Sequence, residues 1–217
     1  METIKKLTIA AFDFDGTISY HDTLLPFLLE INGIFKTYFY LLMEMPYLLG
    51  FVFKITSRSK VKEKIITRFF KGMKIEELKE LGEKFAKTKL PSLVKPEALN
   101  RIKWHKEQNH ICVLISASWD IYLEPWAEFI GFNEILTSSL EVDSEKKITG
   151  KLQGFNCWGD EKVRRLTNLY GTKENYTLYA YGDSLGDQEL LKYADYPFYK
   201  KLLLPLVEVM LDLLAVI

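Results

Sequence analysis

Residues 7–17 read LTIAAFDFDGT. Six uncharged residues run straight into two aspartates one residue apart, then glycine and threonine. A short apolar run that ends in charge and glycine is the pattern of a parallel strand buried on both faces. In an extended chain alternate residues share a face, so Asp13 and Asp15 both reach the space beyond the strand while Phe14 turns into the core. Two carboxylates this close repel unless a cation lies between them. Mg²⁺ suits such a place, because it takes few protein carboxylates and fills its octahedron with water and phosphate oxygens. Gly16 permits the sharp exit the backbone must make.

The same grammar recurs downstream. Residues 176–181 (YTLYAY) form another apolar run, followed by Gly182-Asp183-Ser184-Leu185-Gly186-Asp187. Asp and Gly are common in surface turns, so one such motif decides little. Two of them, each after an apolar strand, point to a site at the carboxyl ends of parallel strands. Between them, 110–115 (HICVLI) reads as a second buried strand, 119–130 as a helix and 135–138 as a short strand. Residues 139–152 alternate around a polar turn and predict a β-hairpin; 160–169 and 186–193 read as helices. Strands alternating with helices predict an α/β fold, a Rossmann-like parallel sheet.

Residues 22–106 have helical periodicity throughout, which is too long for a simple crossover between two strands. The expected organisation is a core of residues 1–18 and 107–200, an inserted all-helical cap over 19–106, and an apolar C-terminal helix over 201–217. A cap inserted after the first strand lies over the strand ends where ligands bind.

Bulk properties narrow the function. The chain has 217 residues, enough for one domain with an insertion. Its 29 basic and 29 acidic residues cancel, which argues against a nucleic-acid partner. Two cysteines, Cys112 and Cys157, make a disulfide framework improbable and fit a reducing, cytoplasmic compartment. Cys112 reads as core, and Cys157 is given no role. His21, His105 and His110 have no metal-ligand spacing and read as surface or cap-packing residues. Trp119 and Trp126 read as core or rim.

Taken together, the motifs resemble those of the haloacid dehalogenase superfamily, specifically its phosphatases with a helical cap. The resemblance covers residues 7–199 and rests on Asp13-Phe14-Asp15-Gly16-Thr17, on Ser116 in LISAS, on Lys162 in NCWGDEKVRRL, and on Asp183 with Asp187. It implies a Mg²⁺-dependent phosphomonoester hydrolase. Asp13 would be the nucleophile that forms an aspartyl-phosphate, and Asp15 the acid and then the base. Ser116 and Lys162 would hold the transferred phosphoryl group. Asp13, the Asp15 backbone carbonyl and Asp183 would bind the metal, with Asp187 supporting them. Lys151 competes with Lys162 for the lysine role. Asp15 separates reaction types: the family's dehalogenases lack this acid because a halide leaves without a proton, whereas an alkoxide needs one. A non-catalytic lipid- or partner-binding module is the alternative class, and retention of all four acids speaks against it.

Substrate recognition is less determined. Asp22 and Arg58 match in position the cap acid and arginine with which phosphoserine phosphatases grip their amino acid, yet two charges in a long helical stretch read more readily as solvated. Ser118 and Ser184 stand beside the motifs, either as phosphate or substrate contacts or as loop caps. Residues 38–53 are nearly all apolar, broken by Glu44 and Pro46, and residues 54–74 then carry eight basic residues against the single acid Glu63. An apolar segment followed by a basic one is how a protein approaches anionic lipid. About 16 residues are too few to span a bilayer, and the catalytic residues before and after must share one site, so the stretch is either buried in the cap or dips into one leaflet. With Ser116-Ala117-Ser118 in place of Ser-Gly-Gly, and the Cys157-x-Gly159-x-x-Lys162 pattern, the sequence resembles the branch that contains phosphatidylglycerophosphatase C. That implies a phospholipid-precursor substrate and peripheral contact with the inner membrane face. A small soluble ester such as phosphoserine is the alternative.

Overall fold

The computed structural model describes residues 6–202 of the chain. Among them, β1 (Leu7–Phe12), β2 (Ile111–Trp119), β3 (Glu134–Val142), β4 (Ile148–Gln153), β5 (Tyr176–Gly182) and β6 (Tyr196–Tyr199) make one sheet in the order β4-β3-β2-β1-β5-β6. Every neighbouring pair is parallel except β3–β4. This is the expected α/β Rossmann-like sheet. β1 is central because it carries no charge and can be buried on both faces. Its period-two alternation sends Ala10 and Phe12 into one core and Ile9 and Ala11 into the other. Helices α6 (Pro96–Glu107) and α7 (Asp120–Ile130) cover the first face through Ile102 and Trp126. Helices α8 (Asp160–Tyr170) and α9 (Gln188–Tyr193) cover the second through Leu166 and Leu190.

The long segment between β1 and β2 also holds α1 (Leu24–Asn32), α2 (Ile34–Met43), α3 (Met45–Val52), α4 (Arg58–Phe70) and α5 (Ile75–Thr88). Their shared interior is continuous with the sheet's first core. Phe70 of α4 meets the Trp119 ring at 5.5 Å, and Phe27 of α1 and Phe85 of α5 meet Tyr122 at 4.8 and 5.5 Å. α5 crosses close over α7 at Gly82, where a Cβ would lie 2.2 Å from the Ile121 carbonyl oxygen. The β3–β4 hairpin makes a second attachment: Ile75 N–H donates to Lys146 O and Ile148 N–H to Met73 O, both at 2.9 Å. The helical segment is thus held to the core at two separate places.

Several elements differ from the sequence expectation. β2 does not end at residue 115 but runs to Trp119, with its pairing to β3 shifting between Ile115 and Trp119. The short strand at 135–138 and the first arm of the hairpin are one strand, β3, parallel to β2 at one end and antiparallel to β4 at the other. β6 was not foreseen, since Pro197 lowers strand propensity; it sits at the sheet edge, where a proline costs no ladder bond on its outer side. His105 is neither a surface nor a cap residue: it is wholly buried, with its ring edge-on to Phe12 and its Nε2 2.8 Å from the Tyr181 hydroxyl. Burial, with Arg101 and His110 nearby, holds its pKa down at about 2, so the ring is neutral. From residue 203 on, the apolar segment expected to form a C-terminal helix lies outside the described residues.

Candidate active site

Parallel register assembles the site. Phe12 stands opposite Leu114 on one side and Tyr181 on the other. The residues that follow, Asp13, Ser116 and Asp183, therefore emerge at one edge of the sheet. Directly after β1 the chain makes a tight turn over Phe14–Ile18. Gly16 is needed there twice over: its φ is +78°, and a Cβ would lie 2.3 Å from an Asp183 carboxylate oxygen. Lys95, ahead of α6, braces the turn by donating to the Gly16 and Thr17 carbonyls at 2.5 and 3.1 Å.

Asp13, Lys162 and Asp187 form a buried chain of charge. Lys162 Nζ donates to Asp13 Oδ1 and to Asp187 Oδ1, each at 2.6 Å. Lys162 reaches inward from the first turn of α8, whereas Lys151 is exposed on β4. Burial pushes the Asp13 carboxyl up to about 7, against the pull of Lys162. Burial works on Asp187 in the same sense, but Lys162 and the Ser184 hydroxyl and backbone N–H outweigh it and hold Asp187 below the ordinary carboxylate range. Ser184 donates to Asp187 Oδ2 at 2.8 Å and accepts from Gly186 N–H, so it shapes this turn. Asp183 accepts from Thr17 Oγ1 at 3.3 Å, and burial, with Asp187 close by, raises its pKa.

Asp15 faces a different set of partners. Its Oδ1 accepts from the Thr23 N–H at 2.8 Å and the Thr23 hydroxyl at 2.6 Å, and its Oδ2 accepts from the Ser118 hydroxyl. Burial pushes its pKa up to about 6, Asp22 adds to the rise, and the Ser118 and Thr23 hydrogen bonds oppose it. Ser116 is buried, and its Oγ accepts from the Ser118 N–H at 3.1 Å, at the irregular end of β2 where the pairing to β3 shifts.

The four acids, Lys162, Ser116, Ser118 and Ser184 line one cleft of about 530 Å³ beneath the helical segment. Asp22 stands at its exposed mouth, where it accepts from Leu24 N–H at 2.9 Å and so caps α1. Arg58 is the first residue of α4. The roof comes from Leu24 of α1, Leu48 of α3 and Val61, Lys62 and Ile65 of α4, and Trp158 closes one wall. Sequence reasoning did not single out Thr23, Lys62 or Lys95. Lys62 donates to Asn156 Oδ1 at 2.7 Å and to the Ala117 carbonyl, tying α4 to the end of β2 that carries Ser116 and Ser118. No motif marks these three; they are found only once the chain is folded.

Asp13, Asp183 and Asp187 each place a carboxylate oxygen within 4.8 Å of the others. Three acids face one ammonium, and burial raises two of the acids. A hard divalent cation with oxygen ligands fits this donor set. The Asp15 side chain is directed instead toward Thr23 and Ser118.

A mostly parallel sheet with paired acids beyond its strand ends, roofed by an inserted helical segment, defines a class of hydrolase. The family described as haloacid dehalogenase-like hydrolase matches residues 10–192, and the chain belongs to it. It is 32% identical over 192 residues to Protein CicA of Caulobacter vibrioides, covering 88% of this chain and 85% of that one. Among solved structures, a Bordetella pertussis protein of unknown function shares the fold with a TM-score of 0.79 at 17% identity, covering 97% and 96% of the two chains. A substrate-bound phosphoserine phosphatase shares it with a TM-score of 0.58 at 17% identity, covering 96% and 99%. The family makes the chain a hydrolase, and the two solved structures share its fold.

Proposed function

We propose that the chain is a Mg²⁺-dependent phosphomonoester hydrolase that works through an aspartyl-phosphate on Asp13. The observation that carries the reading is the buried contact of Asp13 with Lys162 beside Asp183 and Asp187, with the Asp15 carboxyl facing the same cleft. Asp13, Asp183 and the Asp15 carbonyl would hold the cation, supported by Asp187. When bound, it supplies positive charge that masks repulsion between carboxylate and phosphate.

The protein's own groups divide the remaining work. The Asp13 carboxylate attacks phosphorus; the bond from phosphorus to the ester oxygen breaks, and protonated Asp15 gives that oxygen its proton. Asp15, now a carboxylate, takes a proton from water whose oxygen attacks the aspartyl-phosphate. The bond from phosphorus to Asp13 breaks, releasing phosphate and restoring both acids. A pKa near 6 suits a group that must serve as acid and base in turn. Lys162 and Ser116 hold the phosphoryl oxygens, since charge develops there as transfer proceeds. Ser118 and Thr23 orient Asp15.

For the leaving group, the apolar cleft roof of Leu24, Leu48, Val61 and Ile65 favours a phosphorylated lipid headgroup such as phosphatidylglycerophosphate, met at the inner face of a membrane. Phosphoserine is the competing substrate, with Asp22 and Arg58 as its recognition groups. The test is hydrolysis of a generic aryl phosphate with Mg²⁺, then of the lipid phosphate against phosphoserine. The reading requires turnover that EDTA abolishes and a rate preference for the lipid. Turnover that persists in EDTA removes the metal, and a preference for phosphoserine removes the lipid.

A further inference from the structure

The stretch that carries the longest apolar run is folded with its polar and apolar sides exchanged. Its one acid, Glu44, between α2 and α3, is buried and paired with Arg68 of α4, whose Nε and Nη2 both lie 2.7 Å from Glu44 Oε1. Its large apolar side chains point the other way. On α2, Phe35, Tyr38, Phe39 and Leu42 follow the i, i+3, i+4, i+7 spacing of one helix face and are 93%, 55%, 59% and 66% exposed. Beyond α3, Phe53 and Ile55 are 70% and 82% exposed. Roughly half of the strongly exposed large apolar side chains among the described residues fall between Ile34 and Ile55. A segment meant for water alone would turn Glu44 out and the phenylalanines in. Contiguous exposure of this kind marks a contact surface.

Charge identifies the partner. Between residues 31 and 62 the only acid is Glu44, and Arg68 neutralises it. Exposed Lys36 stands next to Phe35 on α2, and exposed Lys54 stands between Phe53 and Ile55. Apolar side chains rimmed by cations, with no exposed acid among them, complement an anionic lipid surface. Among the described residues no helix is long and apolar enough to cross a membrane. α2 has 10 residues, which at about 1.5 Å per residue is half the thickness of a bilayer's hydrocarbon core. It can lie in the interface and cannot span it. The ridge also borders the cleft, because Leu48 of α3 lines it.

We propose that the outer face of α2, with the turn after α3, is a docking surface for an anionic bilayer, and that it sets the cleft mouth at the lipid headgroups. Its purpose rests on the lipid reading of the cleft; the binding itself does not. The test is co-sedimentation of the full chain with phosphatidylglycerol-containing and with pure phosphatidylcholine vesicles, alongside the variant Phe35→Ser/Phe39→Ser/Leu42→Ser. These side chains are exposed and outside the cleft, so hydrolysis of a soluble aryl phosphate should be unchanged. The wild-type chain should bind the anionic vesicles, less so at high salt, and the variant should lose at least about tenfold in partitioning, given the apolar area removed. Wild-type chain that ignores anionic vesicles overturns the proposal, and so does a variant that binds as well. Dimerisation in sedimentation velocity that the variant abolishes, with no vesicle binding, assigns the ridge to a second copy and likewise overturns it. Vesicle binding without any phosphatase activity would leave the docking surface standing and defeat the catalytic reading.

Discussion

The strand-end cleft and the α2–α3 ridge break the usual division of a protein into apolar interior and polar surface in opposite ways. The cleft buries charge: Asp13, Lys162 and Asp187 are all nearly inaccessible. The ridge exposes hydrocarbon and hides its acid. Each arrangement costs stability by itself, through desolvation in one case and unburied apolar area in the other. A fold that carries both keeps them for what they meet, phosphate in the cleft and, on our reading, lipid at the ridge. The expected consequence is a separation of effects: changes in the cleft alter chemistry and stability, and changes on the ridge alter neither.

The largest expected effect is that of Asp13→Asn. Turnover should fall on the order of 10³-fold or more, as for loss of any nucleophile, and steady-state hydrolysis of an aryl phosphate measures it. The same variant should be more stable than wild type near pH 7 without Mg²⁺, by a few degrees in a thermal melt. The Asp13 carboxyl is raised from 3.8 to about 7 in the folded chain, so the folded state holds the proton more tightly than the unfolded chain does. Stability is therefore full below about pH 4 and is lost as pH rises toward 7. Asparagine removes that loss, and so should Mg²⁺ added to wild type. A variant that melts below wild type in EDTA at pH 7 would show that Asp13 is not strained by burial.

Lys162→Met should come next. It leaves two carboxylates buried without their shared cation, a loss of about 3–5 kcal/mol for breaking a buried pair. Denaturant unfolding measures it, and activity should fall with it. A fold that tolerates methionine at wild-type stability would place the charge balance of the cleft elsewhere.

A smaller and more discriminating pair of changes acts on Asp15. As the acid it must be protonated, so the rate of the first step should decline above its pKa of about 6. Ser118→Ala removes a hydrogen bond that favours the carboxylate and should move the alkaline limb of kcat/KM to higher pH. Asp22→Asn removes a negative neighbour and should move it to lower pH. Two limbs that shift in the same direction would show that Asp15 does not control the profile. At the small end stands Phe35→Ser, which should leave both the melting temperature and soluble-substrate turnover within error, since an exposed side chain that does not line the cleft supports neither.

The outline of this fold could be read from the chain because its signals are local. An uncharged run ending in two aspartates, repeated after 176–181, places parallel strands and their acidic ends without reference to anything distant. The helical insertion follows from its length and period. Less legible was whatever depends on which residues meet. Thr23 and Lys62 carry no motif; Thr23 reaches Asp15 from the start of α1, and Lys62 lines the cleft because α4 packs over it. His105 is polar and reads as a surface or cap-packing residue, yet the fold supplies the Tyr181 hydroxyl that satisfies it in the core. The basic stretch 54–74 reads as one cationic face, but the fold spends Lys62 on the Asn156 side chain and Arg68 on Glu44.

By itself, then, the sequence determined the order of the elements, the acids at the strand ends and the existence of a helical insertion, because periodicity and turn chemistry act over a few residues. Tertiary structure alone decided which oxygen of which acid meets Lys162, why Asp15 is held apart from the other carboxylates, and which way the apolar run faces. Those depend on register and packing. Parallel pairing across 100 to 170 residues of chain brings Asp13, Ser116 and Asp183 to one edge of the sheet, and packing buries Glu44 against Arg68 while Phe35 and Phe39 of α2 face outward.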